Sequence, residues 1–486
     1  VSVRRSLAFA LADRTAGTVM SLVTMAVVSR VLGPAEVGLF VVAITVVLLV
    51  ETVRDFGVAA CIIQAPAPSP ALVRTTFTVM LLLSALLGGG IWALAPAIAG
   101  FYGDARLAGM IRIATTAFAF APFGTPLLAL LRRELRFGAV ARISVTVAFA
   151  GALASVGLVL AGFGAQSLVW ASVLASFATA LGAVVTRPEP WVFRPCLAEW
   201  RRVLAFGAWS SVVTLLGLAC ELFPRLILGR LLGFAAVGLF TRAVSLSQMP
   251  EKLVLSAVQP VVLPALAREA GDRERLADAY LLGLSLTCAL HWPALLCLAV
   301  LAGPVVELLL GPQWAGVVPL VRVVALASLT LFPGYMAFPV LVALGRVRDM
   351  ARASLLTLPL SMALMALAAR WGLMAVAASL FLTGPLQVGV TLLLIRRQLP
   401  FAWAALGGLL LRGGVVAACA AALPLAVMLL APAGAAAGPV ALGLALIGAA
   451  LGWLAGLRLT DHPLGAEIGT AMARLRAVVR APGRAR

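Results

Sequence analysis

Residues 29–40 read SRVLGPAEVGLF, and residues 229–240 read GRLLGFAAVGLF. Arg30, Leu32, Gly33, Ala35, Val37, Gly38, Leu39 and Phe40 all recur after a shift of 200. Chance does not account for eight matches in twelve positions, so the chain carries an internal duplication. Weaker echoes continue it: Ile111, Arg112 and Ile113 against Val321, Arg322 and Val323, and Pro122 and Pro126 against Pro333 and Pro339.

What is duplicated follows from composition. Of 486 residues, 63% are hydrophobic and 11% charged, far from the balance of a soluble globular chain. Apolar stretches of about 20 residues recur throughout, and at 1.5 Å per residue each crosses a hydrocarbon core of roughly 30 Å. Their spacing predicts an all-α polytopic membrane protein of about fourteen transmembrane helices, the first near 10–31, the second near 37–63, the last two near 404–430 and 437–457. The first is read as an uncleaved span, because Asp13 and Arg14 interrupt it where a signal peptide would be purely apolar. Residues 1–195 then form an N-lobe of six spans and residues 196–400 a C-lobe of six. Residues 401–460 hold two further spans, and 461–486 a basic tail. An even number of spans per half makes the halves parallel repeats about an axis along the membrane normal, an arrangement suited to alternating access.

The net charge of +19 would suggest nucleic acid in a soluble protein, but here it follows the positive-inside rule and no nucleic-acid partner is expected. Clusters such as Arg132, Arg133, Arg136 and Arg142, or Arg346, Arg348 and Arg352, fall in alternate connections, which predicts that both termini are cytoplasmic. Lys252 is the only lysine and Leu253 follows it, so these residues carry no P-loop. The six cysteines form no Cys-x-x-Cys pair, and two histidines far apart in sequence build no metal or catalytic cluster. No enzyme activity and no cofactor are expected.

Ionisable groups inside spans are costly in lipid and point to a cavity or a partner. They concentrate in corresponding helices of the two halves: Asp13, Arg14, Glu51, Arg54 and Asp55 in the first two spans, Glu221, Arg225, Arg242, Glu251 and Lys252 in the seventh and eighth. Arg14, Arg54, Arg225 and Arg242 are the candidates for a cationic lumen, since a guanidinium binds phosphate in bidentate fashion. Asp13, Glu51, Asp55 and Glu221 are candidates for ion coupling or charge pairing. Glu221 and Arg225, four apart, neutralise each other, recognise an anionic head or form a gating contact. Arg30 with Gly33, and Arg230 with Gly233, mark a corner into the next helix, where glycine supplies the turn.

The stretch SRVLGPAEVGLF, followed by an apolar helix and ETVRDFGVAACIIQ at 51–64, resembles the start of the polysaccharide-transport family of bacterial oligosaccharide flippases. That family lies in the superfamily of multidrug, oligosaccharidyl-lipid and polysaccharide exporters. The resemblance implies a V-shaped bundle in the bacterial inner membrane, carrying polyprenyl-pyrophosphate-linked O-antigen or exopolysaccharide repeat units to the periplasmic leaflet. It also implies a cationic lumen for the head, a groove beside the last two spans for the lipid tail, and partners in membrane lipid and in the polysaccharide polymerase and export machinery. A lipid II flippase, or a multidrug or cation antiporter of the same superfamily, is the alternative.

Overall fold

The computed structural model describes residues 17, 20–55, 58–65, 68–268, 272–430 and 438–465. Every regular element among them is helical. In chain order these are α1 (Met20–Val31), α2 (Pro34–Asp55), α3 (Val58–Gln64), α4 (Pro70–Tyr102), α5 (Arg106–Thr115), α6 (Ala121–Arg133), α7 (Phe137–Leu160) and α8 (Gln166–Thr186). There follow α9 (Trp200–Leu231), α10 (Phe234–Arg268), α11 (Arg273–Val300), α12 (Ala302–Leu309), α13 (Val317–Ser328), α14 (Phe332–Tyr335) and α15 (Ala337–Ala343). The last four are α16 (Val347–Ala368), α17 (Leu373–Arg396), α18 (Trp403–Leu430) and α19 (Pro439–Leu459).

Nine of the described helices are long and apolar enough to cross a membrane, and eleven spans result if each of two bent pairs counts as one. These nine to eleven leave out α1, α9 and α10, and the predicted count of about fourteen is reached only with those three. The first predicted span, near 10–31, begins in residues 10–19, of which only residue 17 is described, leaving the shorter α1. Helices α9 and α10, of 32 and 35 residues, stand outside the nine although each exceeds the hydrocarbon thickness.

The chain divides into two compact units, residues 1–241 with 309–313, and residues 242–308 with 314–486. In the first, Ile62, Val73, Leu127 and Val192 pack α3, α4 and α6 against the short 3₁₀ turn Pro190–Phe193. Arginines tie its helix ends together. Arg133 Nη1 donates to the carbonyls of Ile62, at 3.1 Å, and of Ile63 and Ala65, satisfying the orphan acceptors that end α3. Arg187 bridges Glu134 at 2.6 Å and Glu189 at 3.0 Å.

The repeated corner lies in this unit and shows why its glycines recur. A Cβ on Gly38 would stand 1.7 Å from the Phe234 carbonyl oxygen, and one on Gly238 would stand 2.0 Å from that of Pro34. Positions 34 and 38 are the counterparts of 234 and 238, so α2 and α10 meet in a reciprocal, two-fold-like contact that only glycine admits. The turns themselves differ. Gly233 adopts φ +81°, whereas Gly33 is capped by Glu36, whose Oε2 accepts the Gly33 N–H at 3.3 Å with Pro34 starting the helix. Position 236 is alanine, so the second corner has no such cap.

In the second unit α11 is central, with Tyr280, Leu284 and Cys288 packed against Phe332, Met336 and Leu406. Helices α18 and α19 close on each other through Gly448, Gly452 and Gly456, spaced by four; a Cβ at Gly452 would come within 2.1 Å of the Cys419 carbonyl oxygen. Their outward faces carry exposed leucines such as Leu411, Leu429, Leu444 and Leu451, as lipid contact requires.

Candidate binding cavity at a broken span

Helices α5 and α6 form one span bent by 48°. The break is the 3₁₀ turn Thr116–Ala119, and Pro122, in the first turn of α6, helps to set it by lacking an N–H. Thr115 and Thr116 donate their hydroxyls to the carbonyls of Arg112 and Ile113 at 2.8 and 2.7 Å, holding backbone acceptors freed near the bend. Phe118 points from the break onto α4, where Gly88 lets it approach; a Cβ there would lie 3.3 Å from the Phe118 Cβ.

Arg54, at the end of α2, lies over the Phe118 ring at 4.7 Å and is 2% exposed. Its Nη2 is 2.7 Å from Glu51 Oε1 and 2.8 Å from Asp55 Oδ1, and its Nε donates to Asp55 Oδ1 at 3.1 Å. A guanidinium so deep in a helical unit needs compensation on this scale, since desolvating it costs several kcal/mol. One donor is left: Nη1 is buried and has no partner among the described residues. Two carboxylates around one guanidinium leave the trio formally −1, so Arg54 presents a single N–H group more than a free positive charge.

Beside the break opens a cavity of about 370 Å³, lined by Leu81, Ser84, Gly88, Trp92, Thr115 and Phe118 among others. The Ser84 hydroxyl is buried without a partner among the described residues. Arg112 stacks over the exposed Trp92 ring at 4.6 Å, with its Nε 3.5 Å from the Trp92 carbonyl. Two aromatic residues of the lining thus each carry an arginine over the ring, Arg54 over Phe118 and Arg112 over Trp92. Aromatic faces and hydroxyls suit a sugar ring, and Arg112, with no carboxylate within ion-pair distance among the described residues, suits an anionic group.

The other predicted residues are placed as follows. Asp13 and Arg14 lie outside the described residues. Arg225 is half-buried on α9 and feels the charge of the exposed Glu221 one turn earlier. Arg242 belongs to the second unit, 5.7 Å over the Trp314 ring, and its Nε is buried without a partner among the described residues. Arg230 lies over Phe101 at 5.1 Å, and Arg30 is exposed at the end of α1. Glu51 and Asp55 meet at Arg54; the structure gathers Arg54 and Arg225 into one unit and Arg242 into the other.

The sequence pattern of the family described as polysaccharide biosynthesis protein matches residues 27–319, more than half of the chain. The chain belongs to that family. Among its relatives, the succinoglycan biosynthesis transport protein ExoT of Rhizobium meliloti (strain 1021) is 28% identical over 353 residues, 71% of this chain and 70% of that protein. The lipopolysaccharide biosynthesis protein WzxC of Escherichia coli (strain K12) is 26% identical over 335 residues, 68% of this chain and 67% of that protein. Among solved structures, the lipid II flippase MurJ in an inward closed conformation superposes with a TM-score of 0.74, covering 93% of this chain and 98% of that one at 10% identity. A multidrug resistance MATE transporter in an inward-facing conformation gives 0.62 at 19% identity, over 78% and 94%. Those identities establish a shared fold and nothing finer.

For this member of the polysaccharide biosynthesis family, sequence reasoning passed over Trp92 and Phe118, because an aromatic on an apolar helix looks like any lipid or core contact. The signal available was their company: Arg112, a matched position of the duplication, and Pro122, which announced a break. It named Glu251 among the ionisable groups of the eighth span without noting that it stands 200 residues after Glu51, in register with the repeated corner.

Proposed function

We propose that this chain is a flippase that moves polyprenyl-pyrophosphate-linked oligosaccharide repeat units from the cytoplasmic to the periplasmic leaflet of the inner membrane for surface polysaccharide synthesis. Membership of the polysaccharide biosynthesis family, and relatives named for succinoglycan transport and for lipopolysaccharide and teichuronic acid biosynthesis, support the substrate class. The observation that carries the reading to a place in the molecule is the cavity at the broken α5–α6 span, with two aromatic residues that each carry an arginine over the ring. Discontinuous spans line substrate sites in transporters because their exposed backbone and bent geometry leave a polar pocket at membrane depth.

In this reading a sugar ring stacks on Trp92 and meets the Ser84 hydroxyl, while Arg112 takes oxygens of the head. A cavity of about 370 Å³ is within the range of small-molecule sites and holds a sugar or two, leaving the rest of the repeat unit outside it. Lipid II remains the second reading only through the shared MurJ fold at 10% identity, which carries no information on the head group.

The test is genetic and chemical together. Deletion is expected to leave polyprenyl-linked repeat units on the cytoplasmic face, with wild type restoring export and the double variant Trp92→Ala, Arg112→Ala failing to do so at equal membrane abundance. Unchanged glycolipid pools on deletion would overturn the flippase reading; rescue by the double variant would remove the cavity from it.

A further inference from the structure

Between Asp349 and Asp461 the sequence holds no aspartate or glutamate, yet Arg352, Arg370, Arg396, Arg397, Arg412 and Arg458 all fall there. Of the two flanking acids, Asp349 is taken by Arg346 and Arg352 at 3.5 and 3.4 Å. Arg396 differs from the others in being held on rings. It sits in the last turn of α17, and its guanidinium lies 5.5 Å over the Phe401 ring and 5.2 Å over that of Trp403. The two rings meet edge to face, centroids 5.8 Å apart at 76°.

This platform is fixed from the core side. Ile395, Leu399 and Phe401 are buried with Leu406 in the cluster around α11, and Tyr280 of α11 packs against the Phe401 ring with centroids 5.9 Å apart. That anchoring leaves Arg396 half-buried and Arg397 and Trp403 exposed, as is Leu393, one turn before Arg396. Among the described residues neither guanidinium has a carboxylate within ion-pair distance or an acceptor for its N–H groups. Stacking uses the face of a guanidinium and leaves free its N–H edge, which grips a phosphate oxygen pair. Helices α17 and α18 are each long and apolar enough to span, so the joint between them lies at headgroup depth, where tryptophan also settles.

We propose that Arg396, Arg397 and Trp403 form a binding site for an anionic phospholipid, its phosphate held by the two guanidinia and an acyl chain lying along Leu393. The negative charge that this acid-free stretch lacks is supplied by the lipid, and the exposed apolar side chains of Trp403 and Leu393 beside the arginines suit a lipid over a free anion. The arginine distribution predicts this end of α17 to be cytoplasmic, the side on which anionic lipid gives the membrane a negative surface potential. The site depends on neither the cavity at the broken span nor the flippase reading.

The test reconstitutes the full chain in vesicles of phosphatidylcholine and phosphatidylglycerol, extracts it in mild detergent and counts the retained lipids by native mass spectrometry. Wild type is expected to retain phosphatidylglycerol over phosphatidylcholine, and the double variant Arg396→Ala, Arg397→Ala to lose about fivefold of that preference per arginine. Arg458→Ala removes an arginine of the same acid-free stretch that stacks on no ring among the described residues, and is expected to keep the preference. An equal loss in Arg458→Ala would mean diffuse surface charge and overturns the site, as does a wild type with no preference. Should the double variant fail to insert, Trp403→Ala takes its place, its side chain being exposed, and unchanged retention there overturns the site. Displacement of the retained phosphatidylglycerol by inorganic phosphate would assign the arginines to free anions and overturns the lipid.

Discussion

Arg54 is the residue on which Phe118 of the cavity lining depends, since it both lies over that ring and neutralises Glu51 and Asp55. Arg54→Ala is expected to cost about 2–3 kcal/mol, less than a wholly buried pair because Asp55 is half exposed, read as a lowered unfolding temperature in detergent. Arg54→Lys is expected to recover little of it, because an ammonium cannot lie flat on a ring while bonding two carboxylates. Trp92 behaves differently. Being exposed, Trp92→Ala leaves stability within about 1 kcal/mol while lowering glycolipid transport by about tenfold, and Trp92→Phe retains most activity. A third residue sets a pH dependence. His462, just past α19, accepts the Leu464 N–H at Nδ1, 3.2 Å away, and pairs its Nε2 with Ser285 Oγ at 2.9 Å. Burial, and then the charge of Arg412, push its pKa below the ordinary histidine value. The neutral ring is therefore the folded form, its stabilisation is complete above about pH 6.5 and is lost as pH falls from there through the depressed value. Thermal unfolding scans from pH 8 to pH 5 are expected to show that loss in wild type and a smaller one in His462→Gln.

Among elements, the pair α18 and α19 shows how small residues replace the hydrophobic effect inside a membrane. Gly452→Leu is expected to drive the helices apart and lower stability by about 2–3 kcal/mol or more, with Gly443→Leu, where nothing lies within 4 Å, as the silent comparison measured by the same unfolding assay. The spacing of Gly448, Gly452 and Gly456 was readable in the sequence, as were the helices themselves from their apolar runs. The breaks were less so. Pro122 and Pro333 marked two spans as irregular, yet proline kinks and full breaks look alike along a chain, and only the fold separates a bend of 48° or 63° from a gentle kink. Arg54 illustrates the limit at the site: charge inside a span was legible, whereas its ring partner 64 residues away was not.

Across the whole molecule, the arginine distribution predicts the orientation that the helices alone leave open. A green fluorescent protein fused after residue 465 is expected to fluoresce and an alkaline phosphatase fused there to be inactive; the reverse would place the C-terminal end outside. By itself the sequence determined that this protein is solvated by lipid, that it is built from a duplicated helical unit, and which ionisable groups sit at membrane depth, because composition, periodicity and exact repetition are properties of the chain. Tertiary structure alone decided which rings those groups meet. Arg54 lies over Phe118 of the broken span and Arg242 over Trp314, contacts made by side chains brought in from helices remote in sequence. Partners of that kind are fixed by how helices pack, and helix packing in lipid is set by small residues and shape that leave little trace in local pattern.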